Sequence, residues 1–203
     1  MTRKIFIMAW LMFLAMALHA QNPARAKQIL DKTSSIVGRR GGASANFSIQ
    51  GGNYEPVSGT IAVKGRKFYA QTPKGATWFN GKTQWTYLSK SGEVNVSNPD
   101  QSTQARMNPY QFITLYKQGY ALGVSESSGN YLVTMKATTT KSNIREIQVT
   151  IDKASYLPEQ VKMLQKGKWT TIRISNFKAK NLSDRLFNFP AKDYPKAEII
   201  DLR

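Results

Sequence analysis

The hydrophobic positions of this chain follow three different rhythms. Ile5 to Leu18 is an apolar run without a charge. Over Pro23 to Val37 the apolar or small residues Ala26, Ile29, Leu30, Thr33, Ile36 and Val37 recur at helical spacing, and Gly38 ends the run, which predicts an amphipathic helix. From Ala43 onward the period falls to two. Phe47 and Ile49, Ile61 and Val63, Phe68 and Ala70, Trp85 and Tyr87, then Val94 and Val96 alternate with polar neighbours. Asn80-Gly81, between Trp78-Phe79 and Lys82-Thr83, predicts a hairpin with a type I′ turn. Gly65 predicts a bulge that shifts the facing of the strand after it. Asn108-Pro109 reads as an N-cap with proline in the first turn, opening a short helix to Gln118 that Gly119 stops. Tyr120 to Ser125, Tyr131 to Ala137, Ile147-Val149-Ile151, Val161-Met163 and Ile172-Ile174 complete about ten strands.

The pattern predicts a mainly β fold: one large antiparallel sheet with a single apolar face. A sheet of this size tends to curl. Two helices cover only part of it, so a cavity is expected between cover and sheet.

Composition changes the picture at the N-terminus first. Arg3 and Lys4 precede the apolar run, and Leu18-His19-Ala20 offers a small residue at a cut, so residues 1–20 read as a signal peptide cleaved near Ala20/Gln21. The run is shorter than the ~20 residues of a membrane span, which disfavours an uncleaved anchor. Residues 21–203 then form one exported, soluble domain, with a 41% hydrophobic share that suits a folded core. The chain has no cysteine, so the fold rests on its core, and no thiol follows the leader to carry a lipid. The one histidine, His19, lies in the leader.

The net charge of +17 falls to +15 when Arg3 and Lys4 leave with the leader. Nucleic acid is the usual partner for such a charge. Export argues against it, and Lys and Arg are spread along the whole chain. An anionic membrane surface or an acidic partner is the alternative to a merely solvated basic surface.

Catalytic chemistry is poorly supplied. Without mature His or Cys, the usual general base, thiol nucleophile and zinc ligands are missing, and no cofactor or metal is expected. Gly81-Lys82-Thr83 fails as a phosphate loop, because Gly75 stands one residue too far back and a strand follows it. The 12 acidic residues are scattered. The strand aromatics carry more information. Singly each suits a packed core; together, over so wide a sheet, they favour an apolar pocket.

Four segments then resemble one family. Asn80-Gly81-Lys82-Thr83-Gln84-Trp85-Thr86-Tyr87 is similar to the Asp-Gly-Lys-x-Leu-Trp-x-Tyr hairpin of the LolA family of periplasmic outer-membrane lipoprotein carriers. Gly59 to Lys64 resembles the family's strand before the lipid-facing region, and Asn108 to Phe112 its mid-chain lid helix. Leu186-Phe187-Asn188-Phe189-Pro190, with Ile199-Ile200-Asp201, resembles its C-terminal strand and tail. Asn80 and Gln84 replace the usual Asp and Leu, and Lys64-Gly65-Arg66-Lys67 stands where the family has Lys-Arg-Pro, marking a divergent member.

The resemblance implies an unclosed β-barrel under a helical lid. It implies a non-catalytic chaperone that binds the acyl chains of lipoproteins and carries them from the inner to the outer membrane. The implied partners are an inner-membrane ABC lipoprotein-releasing complex and an outer-membrane acceptor, with transient membrane contact and a monomeric state. The alternative on the same fold is a periplasmic lipid- or lipoprotein-sensing or assembly module. The expected cavity walls are Ile61, Val63, Phe68, Trp78, Trp85, Tyr87, Val149, Ile151, Met163 and Ile174. Ile29, Phe112 and Leu115 are expected from the lid, and Arg66, turned inward with Phe68, as its latch.

Overall fold

The computed structural model describes residues 22–52, 54–99, 115–117 and 119–203. The leader, Phe112, and the expected helix from Pro109 apart from Leu115–Lys117 lie outside the described residues.

The one α-helix among the described residues, α1 (Pro23–Val37), has the bounds its periodicity predicts. The Asn22 side chain accepts from Arg25 N at 2.9 Å, and proline occupies the first turn. Ala26, Ile29, Leu30, Thr33 and Val37 form its buried face. Gly42, at φ +94°, leads the chain into the sheet; a Cβ there would stand 2.7 Å from the Val63 carbonyl oxygen.

Twelve strands follow: β1 (Ala43–Gly51), β2 (Tyr54–Lys64), β3 (Lys67–Thr72), β4 (Gly75–Phe79), β5 (Gln84–Leu88), β6 (Glu93–Ser97), β7 (Tyr120–Glu126), β8 (Asn130–Ala137), β9 (Ile144–Asp152), β10 (Pro158–Gln165), β11 (Lys168–Ala179) and β12 (Glu198–Asp201). They form one sheet in the order β12-β6-β5-β4-β3-β2-β1-β11-β10-β9-β8-β7, which does not close into a barrel. Neighbours are antiparallel except β12, a four-residue strand that lies parallel to β6. Strand pairing between β1 and β11 joins the two halves of the chain.

The expectation of a single apolar face is corrected. Opposed residues of paired strands point to the same side of a sheet. In β7–β11 and β1–β3 the apolar residues lie on the side covered by α1, here the inner face: Val133, Val149 and Val161 with Ile172, then Phe47, Ile61 and Val63. In β4–β6 the apolar set moves to the outer face, apart from Phe79, which opposes Phe68 on the inner face. Trp78 pairs with Tyr69 and Trp85, Ala76 with Tyr87, and Tyr87 with Val94. Their inner-face counterparts Thr77, Thr86 and Asn95 are polar. Strand β3 carries both sets, with Phe68 inward and Tyr69 outward.

The outer aromatic layer has its own cover. A 3-10 turn at Asp184–Phe187 and a second at Ala191–Asp193 carry the chain over it to β12 at the sheet edge. Phe187 is fully buried. Trp78 meets Phe189 and Tyr194 edge-on at 5.3 and 5.6 Å between ring centroids, and Tyr87 lies 4.7 Å from Tyr194.

Two turns differ from expectation. Gly65 is not a bulge. Lys64 pairs with Lys67, so Gly65-Arg66 is a two-residue hairpin turn, with Gly65 at φ +58°. At Asn80 the turn comes where expected but is a four-residue loop. The Asn80 side chain accepts from Lys82 N at 3.0 Å and Thr83 N at 2.9 Å, which closes a wider loop before Phe79 pairs with Gln84. The bulge lies in β11 instead: pairing jumps from Ser44–Lys178 to Asn46–Ser175, and Asn176 sits at φ +52°.

Candidate functional site

The inner face has a covered part and an open part. Over β7–β10, α1 packs tightly, and Ile29, Leu30, Val133, Met135, Ile147, Val149 and Ile151 are almost fully buried. Beyond the C-terminal end of α1 the cover stops. There Val37, Phe47, Ile61, Val63, Ile174 and Phe177 line a cleft whose walls are almost wholly apolar. The cleft forms where β1 crosses from one half of the sheet to the other. Phe47 opposes Gly59 on β2, so no side chain from that strand fills the space beside the ring. The free volume is about 50 Å³, far below the ~300–1,000 Å³ of ordinary small-molecule sites. A ligand of ordinary size therefore enters only if α1 or the wall side chains move.

Polar contacts hold α1 down. Arg25 Nη2 donates to the Tyr131 hydroxyl at 3.1 Å. The Lys32 ammonium stands 3.9 Å from the centroid of the Tyr156 ring. Tyr156 takes a positive φ of 57° in the β9–β10 hairpin, which is unusual for a bulky residue. The Tyr116 hydroxyl donates to Asp31. Hydrogen bonds from Lys27, then Tyr116, hold the Asp31 carboxyl below its ordinary pKa. One contact under α1 is unfavourable: Thr33 Oγ1 is buried with no hydrogen-bond partner among the described residues.

The expected site residues divide accordingly. Ile61, Val63 and Ile174 line the open cleft. Phe68 does not line the cleft; it packs with Phe79 at 5.6 Å on the same face, in a buried cluster that shares Ala43 and Val63 with the cleft wall. Val149, Ile151 and Met163 share the inner face beneath α1. Trp78, Trp85 and Tyr87 are corrected: they lie on the outer face, and Trp78 and Tyr87 pack against the C-terminal segment. Counting alternation across the Asn80 loop puts them there, because each strand's facing is fixed by its register and not by how apolar it is. Ile29 faces the core and Leu115 packs beside it. Arg66 is exposed at the tip of the β2–β3 turn and does not follow Phe68 inward. The expected walls left out Val37, Ala43, Phe47, Ile172 and Phe177 among the cleft residues. Ile172 and Val37 do carry the strand and helix periodicity that marks a buried face; Ala43 gives no signal.

The model of the family described as outer membrane lipoprotein carrier protein LolA matches residues 16–168. The chain belongs to the LolA family. An uncharacterized conserved protein from Thermus thermophilus shares the fold at 17% identity and a TM-score of 0.58, over 87% of this chain and 99% of that one. A putative outer membrane lipoprotein-sorting protein domain from Vibrio parahaemolyticus aligns at 14% identity and a TM-score of 0.46, over 82% and 97%. MucB, in its complex with MucA from Pseudomonas aeruginosa, aligns at 15% and 0.45, over 81% and 61%. No curated protein matches the chain in sequence. With LolA membership, the unclosed sheet and its covering helix are the family's fold, and the cleft beside α1 is the candidate site on it.

Proposed function

We propose that this protein is a periplasmic lipoprotein carrier that takes acyl chains into the inner-face cleft and moves them between membranes without catalysis. The observation that carries the reading is the apolar cleft at the open end of α1, continuous with a core that the helix covers. Ile61, Val63 and Ile174 are its walls, extended by Val149, Ile151 and Met163 once the helix lifts. Leu115 would complete the cover over the cluster that holds Ile29.

The energetics suit a helix that yields to cargo. Burying Ile29, Leu30 and Val37 stabilises the closed state by ~1.5–3 kcal/mol each. A buried acyl chain gains ~0.8 kcal/mol per methylene. Several chains of about a dozen methylenes exceed the helix face in gross terms, and the difference, not the sum, sets affinity. Cargo is therefore held against water yet can be released to an acceptor.

Two variants of the α1 contacts should move affinity in opposite directions. Tyr131→Phe with Lys32→Ala removes the Arg25 bond and the cation–π contact, together worth ~1–2 kcal/mol. Uptake of a fluorescent fatty acid should tighten about tenfold. Thr33→Val replaces a buried hydroxyl that has no partner among the described residues by a methyl group, stabilises the closed helix by ~1 kcal/mol, and should weaken uptake about fivefold. Shifts of the same sign in both titrations would sink the idea that α1 competes with cargo.

The direct test is extraction of labelled lipoprotein from inner-membrane spheroplasts. A carrier brings lipoprotein into the soluble fraction in stoichiometric amount and yields it to outer-membrane vesicles. Binding without release would instead assign a lipoprotein-sensing module.

A further inference from the structure

A second hollow lies on the outer face, behind the cleft, where β1, β2 and β11 meet the chain after β11. It encloses about 510 Å³, and its floor is made of small side chains, Ser44, Thr60 and Ala62. Leu182 and Leu186 form one wall, and the bulged end of β11 forms the other. The bulge at Asn176 sets the outward alternation here. Ser175 faces outward with Asn46, and Lys178 with Ser44.

Most polar groups around this hollow are uncommitted; the Tyr69 hydroxyl is the exception, donating to Gln71 Oε1 at 3.0 Å. Asn46, Thr60, Asn176, Lys178 and Lys180 make no side-chain hydrogen bond or ion pair among the described residues. No carboxylate of the described residues lines the hollow. The nearby Asp184 is taken: Lys64 Nζ stands 2.9 Å and Lys67 Nζ 3.1 Å from its oxygens, and those two bonds hold its carboxyl below the ordinary pKa. Two lysines thus face an open, partly apolar hollow with amide and hydroxyl donors beside them, and no described acidic group neutralises them. That combination fits a phosphate ester: the ammonium groups take its charge, the amides and the Thr60 hydroxyl its remaining oxygens, and the leucine wall its glycerol or acyl root.

We propose that this hollow binds the phosphate headgroup of an anionic phospholipid and docks the protein on the membrane by its outer face. The site is on the opposite face from the cleft, so headgroup and acyl cargo do not compete. Headgroup binding here is independent of what the cleft carries. It gives part of the basic charge a place to act.

The test is sedimentation of the full protein with vesicles of phosphatidylglycerol in phosphatidylcholine, and with pure phosphatidylcholine as reference. Lysine near an anionic surface contributes enough that Lys178→Gln with Lys180→Gln should weaken vesicle binding about thirtyfold. Lys136→Gln with Lys166→Gln removes the same charge elsewhere. Lys136 lies on β8, three strands from β11, about 14 Å and beyond one Debye length. This pair should cost less than about fivefold. Equal losses in the two double variants, or none in the first, would overturn the proposal. So would inorganic phosphate saturating the hollow, seen in the amide resonances of Asn46 and Asn176, in a protein that ignores the vesicles. Uptake of the fluorescent fatty acid, followed in the same variants, reports on the cleft separately.

Discussion

Ile174→Asp should reduce acyl-chain uptake at least about a hundredfold while the protein stays folded. Ile174 lies on the inner face of β11 opposite Phe47, and both line the cleft. The substitution removes a branched aliphatic wall worth ~3 kcal/mol of apolar burial. It also places a carboxylate where an incoming chain would strip its water, and ~2.7 kcal/mol alone is a factor of a hundred. The fold should tolerate the change, since Ile174 is half-buried and packs at the margin of the core. Leu132→Asp is the matched control: Leu132 is 38% exposed and lies on the outer face of β8. The measurement is a fatty-acid fluorescence titration with a melting curve for each variant. A folded Ile174→Asp protein that takes up the probe like the parent would remove the cleft from the acyl path.

Phe187→Ala should be the most destabilising of these substitutions without touching uptake. Phe187 is fully buried in the 3-10 turn that seats the C-terminal segment on β3 and β4. Truncating a buried phenylalanine costs ~3–5 kcal/mol, so melting should fall by about 10 °C in a domain of this size. The segment after it should loosen, because Phe187 anchors the stretch whose Phe189 and Tyr194 rings pack on Trp78 and Tyr87. Tryptophan emission should shift to the red as Trp78 meets water. Below the melting transition, uptake of the fatty acid should match the parent. If uptake fell while melting held, the outer aromatic layer would be part of the acyl site and the division between the two faces would fail.

How much of this was legible in the sequence follows from which forces act locally. Helix α1 was, because its bounds are set by Asn22, Pro23 and Gly38 and its buried face by a 3.6-residue period. The strands around Ile147, Val149 and Ile151 were, because a two-residue period survives any packing. Turn chemistry was harder. Gly65-Arg66 and a bulge at Gly65 are written with the same residues; only the Lys64–Lys67 pairing decides between them, and it sends Arg66 to the tip. Asn80 bonds its own loop with its side chain, which lengthens the turn beyond what Asn-Gly suggests. Strand β12 was legible only through the resemblance of Ile199-Ile200-Asp201 to a family segment and not from periodicity, because four residues pair with β6 only after the segment from Asp184 has crossed the outer aromatic layer.

The chain by itself therefore determined the elements, their apolar residues and the mainly β class, since propensity and periodicity act over a few residues at a time. Which side each apolar residue occupies was decided by tertiary structure. Trp78, Trp85 and Tyr87 look like cavity walls by composition. All three face outward, and Trp78 and Tyr87 become the seat of the C-terminal segment, because facing is inherited strand by strand through register and the apolar side changes at β3. Ile61, Val63 and Ile174 meet at one cleft because β1 pairs with β2 on one edge and with β11, over a hundred residues later, on the other. No local pattern encodes that meeting; it exists only once the sheet has assembled and α1 has stopped short of covering it.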